Sequence, residues 1–208
     1  SKKNNGLGLA LRAGIKQCES EIVLRFDTDD INLKTRAFYL VKELANGKVD
    51  IVGSNIYEFT KDPKKWTSVK KMPKSHDLIK SQIIYRNPIN HPSVGFLRKS
   101  IIDLNGGYRH FPFYEDYDLW IRAIHSNLIF KNIDKELVAV RVTEQRERRR
   151  GINLIYSEIR LLFTFFEVSF WQGLKFIPVL FFRIIFTLLP LKIINIIYSN
   201  YLRKKWDN

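Results

Sequence analysis

Up to Val142 the chain alternates short apolar runs with segments of helical periodicity. The pattern predicts a helix over about Leu7–Gln17, a strand at Glu21–Phe26 and a helix from about Leu33 to Leu44. A strand at Val49–Ser54 follows, then a polar stretch around Thr60–Ser75 with little periodicity, and a helix near Asp77–Tyr85. Short strands are expected at Ser93–Leu97 and Leu137–Val142, on either side of a helix from about Asp116 to Ser126. Strand and helix in such alternation predict an α/β fold with a mainly parallel sheet.

Beyond Gly151 the character changes to nearly continuous apolar and aromatic residues: Ile152–Phe170, Leu174–Leu189 and Leu191–Leu202, punctuated by Pro178 and Pro190. Arg183 interrupts the longest run, and Lys175 and Lys192 flank it, so the segment is short and charged for a membrane span. Two readings remain open. The helices lie in a membrane interface, with Trp171 and Trp206 as anchors and Arg203-Lys204-Lys205 drawn to anionic headgroups, or they form a hairpin packed on the domain. Arg146–Arg150, just before them, is either a headgroup contact or a solvated linker.

Composition narrows the setting. The apolar content of this 208-residue chain suffices for a real core, and one cysteine, Cys18, excludes an intrachain disulfide framework and fits a reducing compartment. A formal charge of +14 suits nucleic acid, an anionic membrane or a phosphorylated substrate. The first six residues contain no apolar core or cleavage signature of a signal peptide. No basic recognition helix or aromatic RNA platform is visible, which argues against nucleic acid as the partner.

Two acidic clusters carry the chemistry. Asp27-Thr28-Asp29-Asp30 follows the apolar run Ile22–Phe26 and places three carboxylates at the C-terminal end of a predicted strand, where open α/β sheets bind ligands. Crowded carboxylates are costly unless a cation shares them, so the cluster reads as a site for a divalent metal and a diphosphate. A solvated helix cap before Ile31-Asn32-Leu33 is the alternative. The second cluster, Glu115-Asp116-Tyr117-Asp118, follows Gly106-Gly107-Tyr108 and the aromatic loop Phe111–Tyr114. Asp116 near a helix start is either a rigidly held general base or a simple cap. Between the clusters, the stiff segment Asn87-Pro88-Ile89-Asn90-His91-Pro92-Ser93 holds His91 over a cleft or keeps it as a structural turn residue.

The ordered series Asn5-Gly6-Leu7-Gly8, Asp27-Thr28-Asp29-Asp30, Val52-Gly53-Ser54, Asn87–Ser93, Gly106-Gly107-Tyr108, Glu115–Trp120 and Arg141 resembles the bacterial family 2 glycosyltransferases of GT-A fold that build capsule, exopolysaccharide and lipopolysaccharide. The resemblance covers roughly residues 4–142. It implies inverting transfer from a nucleotide-diphosphate sugar to a saccharide or lipid-linked acceptor, at the cytoplasmic face of the inner membrane. It assigns Asp27 and Asp29 to Mg²⁺ or Mn²⁺ and the nucleotide sugar, with Asp30, Arg36, His91 and Arg141 as further donor contacts. Asp116 matches the catalytic base, with Glu115 and Asp118 orienting it and Trp120 packing beneath. It also divides the chain into a Rossmann-like transferase domain over residues 1–145 and a basic linker with amphipathic, membrane-associated helices over 146–208.

The departures from that pattern define a second expectation. Relatives begin with a further strand–helix–strand unit for the nucleotide base, so roughly seventy residues are expected to be missing ahead of Ser1. Arg12 stands where asparagine is common, Lys34 where proline is common, and Thr143 where many relatives have histidine. A catalytically inactive remnant acting as a membrane-bound interaction module is therefore the alternative function.

Overall fold

The computed structural model describes residues 6–142, 152–189 and 204–205. The chain-order elements are α1 (Leu7–Gln17), β1 (Ile22–Leu24), β2 (Ile31–Asn32), α2 (Arg36–Leu44), β3 (Ile51–Phe59), β4 (Ser68–Lys70) and α3 (His76–Gln82). After a 3₁₀ turn at His91–Ser93 come β5 (Gly95–Leu97), α4 (Arg98–Ile102), α5 (Glu115–His125), β6 (Phe130–Arg141), α6 (Ile152–Val168), α7 (Phe170–Leu188) and β7 (Lys204–Lys205).

β3 organises the sheet. β6 runs parallel to it from Ile51↔Phe130 to Phe59↔Arg141, while the other edge of β3 pairs antiparallel first with β5 and then with β4. β1 closes the β5 edge, β2 lies antiparallel on β6, and β7 lies on β4. The sheet is thus mixed rather than mainly parallel. β1, β3 and β6 point the same way, as the βα alternation predicts, but β5 enters between β1 and β3 and runs against both. Only the β3–β6 ladder is a parallel pairing among the described residues.

Alternation along β3 feeds two cores. Val52 packs with Leu40 and Leu44 of α2 and with Leu137, whereas Ile51 faces the larger cluster of Phe96, Tyr117, Trp120 and Phe130. Leu161 and Phe165 of α6 and Phe176 and Leu180 of α7 belong to that same larger cluster. The hairpin reading of the C-terminal helices therefore holds for their inner face. Their outer face exposes Phe163, Phe170, Trp171, Phe181, Phe182 and Leu188. At 19 residues α7 is longer than the expected run, with Pro178 inside it, and is long and apolar enough to cross a membrane by length and composition. Residues 143–151, which include Thr143 and the Arg146–Arg150 cluster, lie outside the described residues, as do Pro190, the expected Leu191–Leu202 helix, Arg203 and Trp206. Lys204 and Lys205, expected at lipid headgroups, pair by backbone with β4.

Two glycine positions set the approach of the elements to one another. At Gly8 in α1 a Cβ would stand 2.1 Å from the Arg109 carbonyl oxygen and 3.2 Å from Glu115 Cβ, so only glycine lets α1 seat against the start of α5. Gly106 and Gly107 both take positive φ, 82° and 80°, a region that side-chain-bearing residues avoid, and so turn the chain from α4 into Tyr108.

Candidate active site

The first acidic cluster is a turn between two strands. The Arg25 amide still donates to Val94 O (3.0 Å), continuing β1 beside β5; the chain then reverses, with Asp30 N donating to Asp27 O (3.4 Å), and re-enters the sheet as β2. The helix-cap alternative fails here, because Ile31-Asn32 is a strand and the following helix starts only at Arg36. Asp27 receives both terminal nitrogens of Arg25 at 2.5 Å each, Asp29 is exposed, and Asp30 Oδ1 accepts the Arg141 amide at 3.0 Å. Burial pushes the Asp30 carboxyl up to about 6; the Arg141 amide opposes this, and the negative charges of Asp27 and Asp29 add to it. Burial is the main cause, and like-charge repulsion from the two neighbouring carboxylates is a smaller one.

The second cluster opens α5. Phe113 takes φ 66°, Tyr114 is the residue ahead of the first turn, and Glu115, Asp116 and Asp118 fill that turn, where the helix dipole favours negative charge. Asp116 Oδ1 accepts the Tyr117 amide (2.8 Å) and Oδ2 accepts Asn87 Nδ2 (2.7 Å). Its burial raises the carboxyl's affinity for a proton above that of an ordinary aspartate, against the pull of those two donors and of Arg25 and Lys70.

The loop between the clusters is nailed to β3. Asn90 Nδ2 donates to Ser54 O (2.9 Å) and the Ser54 amide to Ser93 Oγ (2.9 Å), which fixes His91 in the interior. His91 Nε2 shares a hydrogen bond of 2.8 Å with the Tyr108 hydroxyl, and its ring stands edge-on to Trp120 at 6.2 Å. Burial and then the Arg25 charge hold the imidazole neutral, far below its usual protonation range. Burial pushes the Tyr108 phenol up, and the negative charges of Asp116, Glu115 and Asp27 push it further, against Arg25. One region of the molecule therefore feels both acidic clusters, with Arg25, His91 and Tyr108 between them.

Ligand atoms of His91, Glu115 and Asp116 lie within 4.8 Å of one another and form the one metal-competent trio among the described residues. Asp27 and Asp29 do not join it. Their hard carboxylate oxygens match Mg²⁺ or Mn²⁺ in kind.

Residues 1–105 match the model of the family described as Glycosyl transferase family 2. The chain belongs to glycosyl transferase family 2. It is 34% identical over 206 residues to an Escherichia coli UDP-Gal:alpha-D-GlcNAc-diphosphoundecaprenol beta-1,3-galactosyltransferase, covering 98% of this chain and 74% of that one. It is 32% identical over 203 residues to the amylovoran biosynthesis glycosyltransferase AmsE of Erwinia amylovora, covering 95% and 74%. Its fold resembles that of S. aureus TarS 1–349 in complex with UDP-GlcNAc (TM-score 0.55, 16% identity, 77% of this chain and 47% of that one). The mannosyltransferase PcManGT from Pyrobaculum calidifontis, in complex with GDP-Man and Mn2+, is similar at TM-score 0.51 and 15% identity, over 86% and 48% of the two chains. The chain thus spans about three quarters of its curated relatives and about half of these solved ones, whose likeness establishes the GT-A fold.

Within this family 2 transferase, several expected site residues do other work. Arg36, expected at the nucleotide sugar, is 1% exposed and spends its guanidinium on Asn32 and on the carbonyls of Arg25 and Val94, over the Phe26 ring. It braces the end of β1 instead. Arg141 reaches the site through its amide to Asp30, while its guanidinium lies over Phe59. Asp118 does not orient the base: fully buried, it accepts Arg122 Nε and a terminal nitrogen (3.0 and 2.9 Å) and the Thr164 hydroxyl (2.9 Å), tying α5 to α6. Trp120 packs beneath the site as expected. Arg25, Asn87 and Tyr108 are the residues that sequence reasoning left without a role. A charged residue inside the apolar run Ile22–Phe26 was the signal for Arg25.

Proposed function

We propose that this chain transfers a sugar, with inversion, from a nucleotide-diphosphate sugar to a saccharide or lipid-linked acceptor in bacterial surface polysaccharide synthesis, with Asp116 as the base. The observation that carries the reading is the buried Asp116 carboxyl at the start of α5, oriented by Asn87 and sharing its electrostatic surroundings with Arg25 and Asp27. The acceptor oxygen bonds to the anomeric carbon as the bond from that carbon to the diphosphate oxygen breaks, and the hydroxyl proton passes to Asp116. A carboxyl whose proton affinity is raised by burial is a stronger base than an exposed one. Glu115 and neutral His91 line the same space and suit hydrogen bonds to sugar hydroxyls.

Asp27 and Asp29 are the residues proposed to hold Mg²⁺ or Mn²⁺, which when bound offsets charge on the departing diphosphate. Arg25 supplies a second positive charge at that end of β1, and Asp30 with the Arg141 amide keeps the turn in shape. The exposed apolar face of α6 and α7 supports peripheral attachment to the cytoplasmic face of the inner membrane. A transferase domain over 1–145 with a membrane-associated extension over 146–208 belongs to this reading, and the shared core makes α6 and α7 a built-in part of the fold.

UDP-galactose is the donor to try first, since the E. coli relative is named for it. With Mn²⁺ and a lipid-diphosphate saccharide acceptor, the protein is expected to release UDP, and Asp116→Asn to bind UDP equally well without turnover. Parental turnover in Asp116→Asn overturns the base assignment, and absence of any calorimetric signal with UDP and Mn²⁺ favours the inactive interaction module.

A further inference from the structure

Behind the proposed base, the C-terminal hairpin inserts an ion pair into the domain, its carboxylate buried and its guanidinium 20% exposed. Glu158 of α6 is 2% exposed, and its two oxygens accept Nε and a terminal nitrogen of Arg183 from α7, at 2.7 and 2.9 Å. An ion pair between two packed helices needs no third partner, yet this one has several. The Tyr114 hydroxyl donates to Glu158 Oε1 at 2.5 Å, and the Arg183 guanidinium lies 5.5 Å from the ring centroids of both Tyr114 and Tyr117. Another Arg183 nitrogen donates to the Tyr85 carbonyl at 3.5 Å, and the Tyr117 hydroxyl donates to the Ile83 carbonyl at 2.5 Å.

These contacts fall on the two segments that hold Asp116. Tyr114, just ahead of α5, and Tyr117 within it bracket Asp116, and the Tyr117 amide is one of its hydrogen-bond donors. The stretch Ile83–Tyr85 leads directly into Asn87, its other donor. Tyr114 also follows Phe113, whose positive φ places the chain in a conformation that tertiary contacts must hold.

We infer that Glu158 and Arg183 are positioning residues for sugar transfer: their ion pair clamps the segment ending in Asn87 to the start of α5 and so fixes the Asp116 carboxylate toward the acceptor. The inference rests on Asp116 being the base. It makes the C-terminal hairpin part of the catalytic apparatus as well as the part that faces a membrane.

The decisive variant is the double replacement Glu158→Leu with Arg183→Met. It exchanges the pair for apolar groups of similar length, a change that buried ion pairs often tolerate without loss of stability, while removing the acceptor of the Tyr114 hydroxyl. The expected result is a folded protein with parental melting temperature and UDP affinity, and kcat lower by about 10- to 100-fold, the range for a small misplacement of a reacting group. The acid limb of its kcat–pH profile is also expected to move down toward the ordinary aspartate range, as a loosened loop admits water to Asp116. Arg183→Lys, which retains the charge, is expected to recover part of kcat. A folded double variant with parental kcat and an unmoved pH profile overturns the inference. So does a fall in kcat matched by falls in UDP affinity and melting temperature, which marks a purely structural role. If the double variant does not fold, Tyr114→Phe decides: it removes only the hydroxyl, and parental kcat there overturns the inference. Turnover retained in Asp116→Asn would instead mean that the base itself is misassigned.

Discussion

Replacing Asp116 by Asn separates chemistry from architecture, because the structure assigns opposite signs to the two. General-base catalysis by a positioned carboxylate is worth about 10²- to 10⁴-fold, or about 3–5 kcal/mol in the barrier. UDP release with Mn²⁺ and acceptor should fall by that factor while calorimetric UDP affinity stays put. Stability responds differently. Burial raises the Asp116 carboxyl above its ordinary value of 3.8, so the folded state favours the protonated form. Stability from this group is then fully present below the unfolded value and is lost as pH rises through the folded one. Asn never carries that charge. It does lose one of the hydrogen bonds from Asn87 and the Tyr117 amide, since an amide nitrogen must face one of two donors, at a cost of about 1 kcal/mol. The variant should therefore be slightly less stable than the parent below the ordinary carboxylate value and gain on it as pH rises through the raised folded value, levelling off above it, in paired urea melts from acid to neutral pH. A gap between the two that is independent of pH would refute the claim that the carboxyl is buried and charged at neutral pH. Turnover within threefold of the parent would refute its role.

Other outcomes follow from neighbouring contacts. Asp118→Ala strips the buried Arg122 of its carboxylate and the Thr164 hydroxyl of its acceptor, and should cost about 3–5 kcal/mol in denaturant unfolding. Gly8→Ala forces a Cβ against the Arg109 carbonyl and Glu115, so it should destabilise by about 1–3 kcal/mol and also reduce turnover, whereas Gly14→Ala, with open space around it, should do neither. The double variant Phe181→Asp, Phe182→Asp, on side chains 62% and 69% exposed, should lose co-sedimentation with anionic phosphatidylglycerol vesicles while its thermal melt in detergent is unchanged.

How far the sequence reveals such a molecule depends on whether a residue's partner lies nearby in the chain. α1 and α5 match their expected bounds almost residue for residue, because their stop and start signals are local. β3 runs well past its expected end, and β6 begins seven residues before its expected start; the polar residues inside β3 are satisfied from elsewhere, Asn55 by Asp134 and the Met72 amide, and Glu58 by Ser68. Ser68 belongs to β4, a strand within what looked like an aperiodic polar stretch. α2 starts three residues later than expected because Ile31-Asn32 is taken by β6, a pairing with residues over a hundred positions away.

The same distinction governs the site. The two acidic clusters were legible because each is a contiguous run whose mutual repulsion requires an explanation. For single charges the residue type fixes what is needed, a counter-charge or several acceptors, but not where it is found. Arg36 and Asp118 find theirs in the interior, in two backbone carbonyls and in Arg122, and are thereby withdrawn from substrate. Arg25 finds its partner in Asp27, a carboxylate the proposed metal also needs. That competition gives Arg25 a meaning the other two lack. Its guanidinium already neutralises the turn from inside, so a divalent cation held by Asp27, as proposed, would compete with it for that carboxylate. Arg25→Gln should accordingly tighten Mn²⁺ binding, read by electron paramagnetic resonance, while slowing turnover; weaker Mn²⁺ binding in that variant would show that Arg25 and the metal do not share Asp27.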